Sequence, residues 1–231
     1  MIMATISDSL GVQHIERLVV RMQKPLCDFD RFLTERSYVN MEYFYEIIGT
    51  QLLAAMRYEE AIHYLNQVSN EFMHTTNVSL YYKTKPKDYK LNFAKKMYAL
   101  EENIRRLRNP DDRAECMLAY AKELQNSIGP HWYLTRYYSG HWYDYPFYSQ
   151  YQTDLYDNVV KEFEYIKWKA FKTFTDAERA AKACYDWSLY KTAVTKYPQT
   201  KTAEYIRGHC DVLADYKDAP DKELYKYFKQ R

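Results

Sequence analysis

The chain has 231 residues, enough for one elongated domain or two small ones with a sizeable buried core. Its 33 Lys and Arg are interspersed with 31 Asp and Glu for a net charge of +2, so no charged field recruits nucleic acid or an anionic membrane. With 5 Gly and 7 Pro the tight turns of a many-stranded sheet are scarce, and no apolar run reaches the ~18 residues of a membrane-spanning helix.

In chain order, Val12, Ile15, Val19 and Met22 alternate at three- and four-residue spacing, the apolar stripe of a helix over about 9–23. Pro25 ends it and opens a short helical segment carrying Leu26, Phe29, Phe32 and Leu33. Met41, Phe44, Tyr45, Ile48, Leu52 and Ala55 form a second stripe, and after a break near Arg57 a third follows in Ala61, Leu65, Val68 and Phe72. These two predict an antiparallel helix pair, with small Gly49 and Ala61 letting the helices approach closely. Residues 74–90 are polar, contain Pro86 and read as a long connection. Met97, Leu100, Ile104 and Leu107 mark the next helix, closed by Arg105, Arg106 and Arg108, cations suited to a helix C-terminus.

Asn109, Pro110, Asp111 and Asp112 form a start signal: an N-cap, a proline at the first helical position and two first-turn carboxylates. The helix they open carries Ala114, Met117, Leu118, Ala121 and Leu124 and stops by Gly129 and Pro130. A second long connection covers about 127–155. Beyond it Val159, Phe163, Ile166, Ala170 and Phe174 define a helix with an aromatic flank at Tyr165, Trp168 and Phe171. Thr175 and Glu178 have the spacing of a capping box and predict a helix running to about Lys196. Tyr197 and Pro198 break it, Thr202 and Ala203 restart it as far as Gly208, and a last short helix spans 220–228.

Tyrosine is the compositional outlier, with 26 residues. Such side chains pack a ring while keeping a hydroxyl in water, which suits thin layers, grooves and interfaces. Ten of the 21 residues in 131–151 are aromatic, so this connection is the candidate working surface. Trp132, Tyr133, Leu134, Tyr137 and Tyr138 are expected to anchor it on the helices, and Trp142, Tyr143, Tyr145 and Tyr148 around Gly140 to form a platform for a peptide or a sugar face. Arg136, beside Trp132, Tyr133 and Tyr137, and His141, beside Trp142, complete the candidate ligand-binding set.

His141 and Asp144, with His131 nearby, lack the companions of a zinc site, so no metal or cofactor is expected. The chain carries no phosphate-cradling glycine loop, nucleophile elbow or Cys–His motif, and no catalytic residue is assigned. The acid pairs Glu59 with Glu60, Glu101 with Glu102 and Asp111 with Asp112 are expected to be solvated or paired with helix dipoles. His14, His63, His74 and His209 read as isolated, and Cys27, Cys116, Cys184 and Cys210 as buried thiols on helices.

The pair over 41–72 resembles a tetratricopeptide repeat: Tyr45 stands at the first large aromatic, Ile48 and Gly49 at the Leu-Gly pair, then Leu52, Tyr58, Glu59, Glu60 and Ala61 at the entry to the second helix, then Leu65 and Val68. It departs at Met73, where that family has proline. The stretch from Ala180 to Ala193, with Tyr197, Pro198 and the restart to Gly208, resembles a second such unit. Asn109, Pro110, Ala114, Tyr120, Ala121, Leu124, Asn126, Gly129, Trp132, Leu134 and Tyr137 are similar to helical-repeat proteins of the bacterial cell envelope. The resemblance implies an all-α chain, residues 1–231 forming one domain of antiparallel helix pairs stacked as an α-α superhelix with a concave groove. The function expected is non-enzymatic recognition of a peptide or protein partner in a Tyr- and Trp-lined groove, with homodimers through exposed repeat ends. The alternatives are glycan binding by the aromatic loop in the cell envelope and, third, a hydrolase of unknown type. The periplasm or cell surface is the expected location if a signal has been removed, and the cytoplasm otherwise.

Overall fold

The computed structural model describes residues 10–36, 41–69, 71–72, 89–128 and 150–209. Regular structure among the described residues is all helical, as expected: α1 (Val12–Gln23), α2 (Asp28–Arg36), α3 (Met41–Ala54), α4 (Tyr58–Leu65), α5 (Tyr89–Arg106), α6 (Pro110–Ile128), α7 (Gln150–Thr173), α8 (Ala177–Asp186), α9 (Tyr190–Lys196) and α10 (Lys201–Gly208). α5 and α7 begin inside the stretches expected as connections; residues 73–88 and 129–149, and with them Met73, lie outside the described residues, as do Cys210 and the helix expected over 220–228. The chain divides into two compact units, Met1–Ala99 with Glu123–Glu162, and Leu100–Lys122 with Phe163–Arg231.

The first unit is organised by α3, which α1 and α4 both contact. Residues 47–54 are all buried, the pattern of a helix apolar on every side. Gly49 lets α4 come close: a Cβ there would lie 2.6 Å from both Cγ and Cδ2 of Leu65. The close contact anticipated at Gly49 is therefore made by Leu65, and Ala61 is fully buried nearby in the same helix. The turn joining the pair places Met56 at φ 58°. Arg57 N–H donates to Leu52 O at 2.9 Å and Met56 N–H to Leu53 O at 3.0 Å, a Schellman closure without glycine. α1 buries Ile15 and Val19, and the Tyr64 hydroxyl donates to Glu16 at 2.6 Å. Burial, then the hydrogen bond to Glu16, pushes the Tyr64 phenol up to about 12.

A helix buried all round must find partners for its polar residues. Glu46 and Lys90 are both buried and form an ion pair. The Lys90 ammonium also donates to Thr50 Oγ1 at 2.7 Å, and the Thr50 hydroxyl lies 2.8 Å from the Glu46 main-chain oxygen. Gln51 Nε2 donates to Leu10 O at 2.8 Å. Asp30 joins α1 to α2, accepting from Arg21 Nε at 2.9 Å and Leu26 N–H at 3.1 Å.

The second unit has an alanine-rich core. Ala114, Ala121, Ala170, Ala180, Ala181, Ala183, Ala193 and Ala203 are buried with Met117, Ile166, Phe171, Cys184 and Ile206. The helix expected to run to Lys196 is instead two, α8 and α9, broken by Ser188 at φ 58°. The closure repeats that of the α3–α4 turn: Leu189 N–H donates to Cys184 O at 2.7 Å and Ser188 N–H to Tyr185 O at 2.9 Å. With Met56 aligned on Ser188, Gly49 falls on Ala181, Tyr58 on Tyr190 and Ala61 on Ala193.

Asn109 caps α6 as expected, its Oδ1 accepting from Asp111 and Asp112 N–H at 2.9 and 3.1 Å. Two other expectations are corrected, the first in part. Asp111, expected to be solvated or paired with its helix dipole, does sit in the first turn where the dipole favours it, but it is buried and accepts Thr175 N–H at 2.7 Å, the Thr175 hydroxyl at 2.6 Å and Asp176 N–H at 2.9 Å. Thr175 and Glu178 do not form a capping box. Asp176 caps α8 by accepting Arg179 N–H at 2.8 Å, while Glu178 accepts Lys201 N–H at 2.7 Å, Thr202 N–H at 3.0 Å and the Thr202 hydroxyl at 2.5 Å. The second residue of α6 thus holds the start of α8, and the second residue of α8 holds the start of α10. Arg179 reinforces the first junction, reaching Glu115 and Asp112 at 2.7 Å each. Among the other acid pairs, Glu60 binds Arg57, and Glu102 binds Arg105 and Arg106. Cys184 is buried and Cys116 half-buried, the Cys116 thiol pushed up by burial, but Cys27, just ahead of α2, is exposed.

Two outcomes follow from this packing. Lys90→Met leaves the Glu46 carboxylate in an apolar interior and is expected to cost about 3–5 kcal/mol in urea unfolding, much of it recovered in Lys90→Met with Glu46→Leu. The Asp111 carboxyl is held below its usual range first by Asp176 N–H and the Thr175 hydroxyl, and Glu178 first by the Thr202 hydroxyl. Stability from a depressed carboxylate is complete above its unfolded pKa and lost as pH falls through the folded one. The melting-temperature gap between wild type and Asp111→Asn should therefore be widest near neutrality and close as pH drops below the ordinary carboxylate range.

Candidate functional site

The nine residues expected to line a loop site, Trp132, Tyr133, Arg136, Tyr137, His141, Trp142, Tyr143, Tyr145 and Tyr148, lie outside the described residues, as do His131 and Asp144. Within the second unit a different aromatic surface is built by α8, α9 and α10. The turn at Ser188 folds α9 back on α8 and so brings Tyr185, near the end of α8, onto Tyr190, the first residue of α9. Their rings meet edge to face, centroids 5.4 Å apart at 61°. Tyr205 of α10 also meets Tyr185, at 5.9 Å and 80°. One turn further on, His209 lies over Tyr205 at 4.0 Å and 34°, its Nδ1 2.8 Å from Tyr205 O. The Glu178 bonds to the first turn of α10 hold this arrangement from the opposite end of α8.

The row Tyr190, Tyr185, Tyr205 and His209 is partly exposed. Tyr205 is 50% exposed, His209 is exposed, and Tyr185 and Tyr190 are half-buried. The three tyrosine rings support one another edge to face, an arrangement that fixes aromatic side chains at some energetic gain. The Tyr185 phenol is raised above its ordinary value, first by the charge Tyr205 would carry on ionising and then by their hydrogen bond. Raised further from neutrality, it stays protonated and can both donate and accept. The chemistry on offer is flat apolar area with a polar rim.

Next to the row in sequence, Trp187 is stacked on Phe163 at 6.1 Å and 29°, with the ammonium groups of Lys122 and Lys167 5.5 and 5.9 Å from its ring. Glu164 holds Lys167 at 2.8 Å. These cation–π contacts keep lysine stems against the rings. Among the described residues no group of three His, Cys, Asp or Glu side chains could hold a metal ion, and no helix is long and apolar enough to cross a membrane.

Sequence reasoning placed His209 alone and did not single out Tyr185, Tyr190 or Tyr205. The usable signal was the repeat-like alignment around Ser188, which puts tyrosines on both sides of a turn. No family model, curated protein or solved structure matches the chain.

If Tyr205 sets the environment of Tyr185, then in Tyr205→Phe the Tyr185 phenol should titrate closer to its ordinary value, read by NMR of ring-labelled tyrosine; an unmoved titration would place the two rings apart in solution.

Proposed function

We propose that this chain is a recognition protein that holds a peptide or a segment of a partner protein against the row Tyr190, Tyr185, Tyr205 and His209, making and breaking no covalent bond. The observation that carries this reading is that partly exposed row, seated on helices packed through alanine. Tyrosine supplies large contact area with few rotatable bonds and a hydroxyl to satisfy a peptide group, the properties of interface hot spots.

The helical-repeat character of the binding scaffold belongs to the same proposal. Its support is one glycine-free turn used twice, at Met56 and Ser188, with small residues at matched positions: Gly49 and Ala181, Ala61 and Ala193. The parallel use of Asp111 and Glu178 to hold the next helix start adds a second recurrence. A tetratricopeptide-like stack presents such helices to a bound chain along one face.

The test is a displayed peptide library and a glycan array, each probed with wild type and Tyr205→Ala. Peptides retained by wild type and weakened about tenfold or more by Tyr205→Ala bear the proposal out, that being the scale of losing an aromatic hot spot. Glycans selected instead would install the sugar-binding alternative, and ligands indifferent to Tyr205→Ala would remove this row from the function.

A further inference from the structure

Four of the six large hydrophobic side chains exposed among the described residues lie far from the tyrosine row in sequence, on α1, α2 and the link between them. Leu26 is 80% exposed, Phe29 64%, Val20 59% and Phe32 53%. Single exposed apolar residues are ordinary, but four bulky ones within thirteen consecutive positions form a patch of the kind that marks an interaction site. Leu26, Phe29 and Phe32 follow at three-residue spacing, so they turn only slowly around one side of the chain. A groove of about 490 Å³ lined by Gln13, Glu16, Arg17, Val20, Arg21 and Leu26 adjoins them.

The charges on α2 say what covers the patch. The helix begins with Asp28, whose side chain is 96% exposed, and ends with exposed Arg36, whose guanidinium lies 5.4 Å over the Phe32 ring. Asp28, Phe32 and Arg36 are spaced by four and share a stripe. Phe32 is equidistant from the two charges along the helix. An antiparallel copy of α2 centred on Phe32 therefore sets Asp28 of each chain against Arg36 of the other, and Phe32 on Phe32. Asp28 is now held by Arg31 at 3.4 Å, an exposed pair of small worth that can be exchanged. Along α2 the charges alternate in sign through Asp28, Arg31, Glu35 and Arg36, and on α1 the groove sets Glu16 beside Arg17 and Arg21, so both signs border the patch and α2 lacks the one-signed basic face with which an interfacial helix approaches anionic lipid.

We propose that two copies of this chain associate through α1 and α2, with the two α2 helices antiparallel about a two-fold axis at Phe32. A two-fold interface uses the same patch on both chains, which the order acid, aromatic, base along α2 satisfies by itself. The groove beside Leu26 and Val20 extends the apolar contact on each side of the axis. This surface is independent of the tyrosine row and of the function proposed for it.

Sedimentation velocity of the full chain over rising micromolar concentration tests the proposal, with circular dichroism confirming that each variant is folded. Wild type is expected to move to twice the monomer mass, and Phe32→Arg to remain monomeric; Phe29→Ser provides the same reading should Phe32→Arg not fold. Asp28→Arg or Arg36→Asp alone should weaken the dimer about tenfold or more, and the two together should restore it. A wild type that stays monomeric overturns the proposal, as does a dimer indifferent to the Phe29 and Phe32 changes. A double charge swap no tighter than either single variant overturns the antiparallel pairing. Monomers that sediment with phosphatidylserine-containing vesicles through Phe29 and Phe32 would assign the patch to a lipid surface instead.

Discussion

The second unit depends on how closely α8, α9 and α10 approach one another. What these helices bury is mostly methyl groups, those of Ala180, Ala181, Ala183, Ala193 and Ala203. Alanine allows close packing but removes little apolar area per residue, so such a core contributes modestly to stability. The same closeness leaves no room between the helices for large rings. Tyr185, Tyr190 and Tyr205 are consequently placed at the rim, where each keeps a face or an edge in solvent. The surface proposed to bind a partner is thus a direct result of the core being thin.

A thin core needs other ties, and the unit supplies them with carboxylates. Helix starts leave backbone N–H groups without partners inside the helix. Here the N–H groups around the start of α8 go to Asp111, and those of the first turn of α10 go to Glu178. Each acid sits in the first turn of its own helix, where the dipole also favours a negative charge. One side chain therefore satisfies the start of the next helix from a favourable place in the dipole of its own, and fixes the offset between the two helices. In the first unit the same need for polar satisfaction takes a different form. α3 is buried on all sides, and Glu46 and Thr50 on it are met by Lys90. Burying two charges costs desolvation that their attraction barely offsets, but an unpaired one would cost several kcal/mol, so the pair specifies which part of α5 lies on α3.

Most helices were legible because their apolar residues keep helical spacing, and the start of α6 because Asn109 caps it through contacts two and three residues away. Local patterns carry local bonds. They do not carry partners remote in sequence, which is why Thr175 and Glu178 had the spacing of a capping box while Thr175 binds Asp111 and Glu178 binds Thr202. The break between α8 and α9 was hidden for a related reason. A reversal of that kind is usually announced by glycine, and Ser188 adopts the left-handed conformation without one. In α2 the period was right, yet Phe29 and Phe32 are exposed, because periodicity assigns residues to a face and is silent on what covers it. Among 26 tyrosines the three of the row carried no distinguishing local mark; only the folding back of α9 and the attachment of α10 bring them together.

The left-handed residue at Ser188 connects these points. Such a conformation costs a non-glycine residue on the order of 1 kcal/mol, and here it is held by the bonds from Ser188 and Leu189 N–H to the last turn of α8. Those bonds satisfy carbonyls that the helix end would otherwise leave to water, and they make the reversal tight. A longer or looser turn would still join two helices, but it would not bring Tyr190 within 5.4 Å of Tyr185. Because Tyr185 also contacts Tyr205, the geometry of one turn is passed on to every ring in the row. In the α3–α4 pair the same turn at Met56 is followed by Tyr58, which is buried. The turn alone therefore does not make an aromatic row; it does so at Ser188 because the neighbouring positions are tyrosines with α10 beside them.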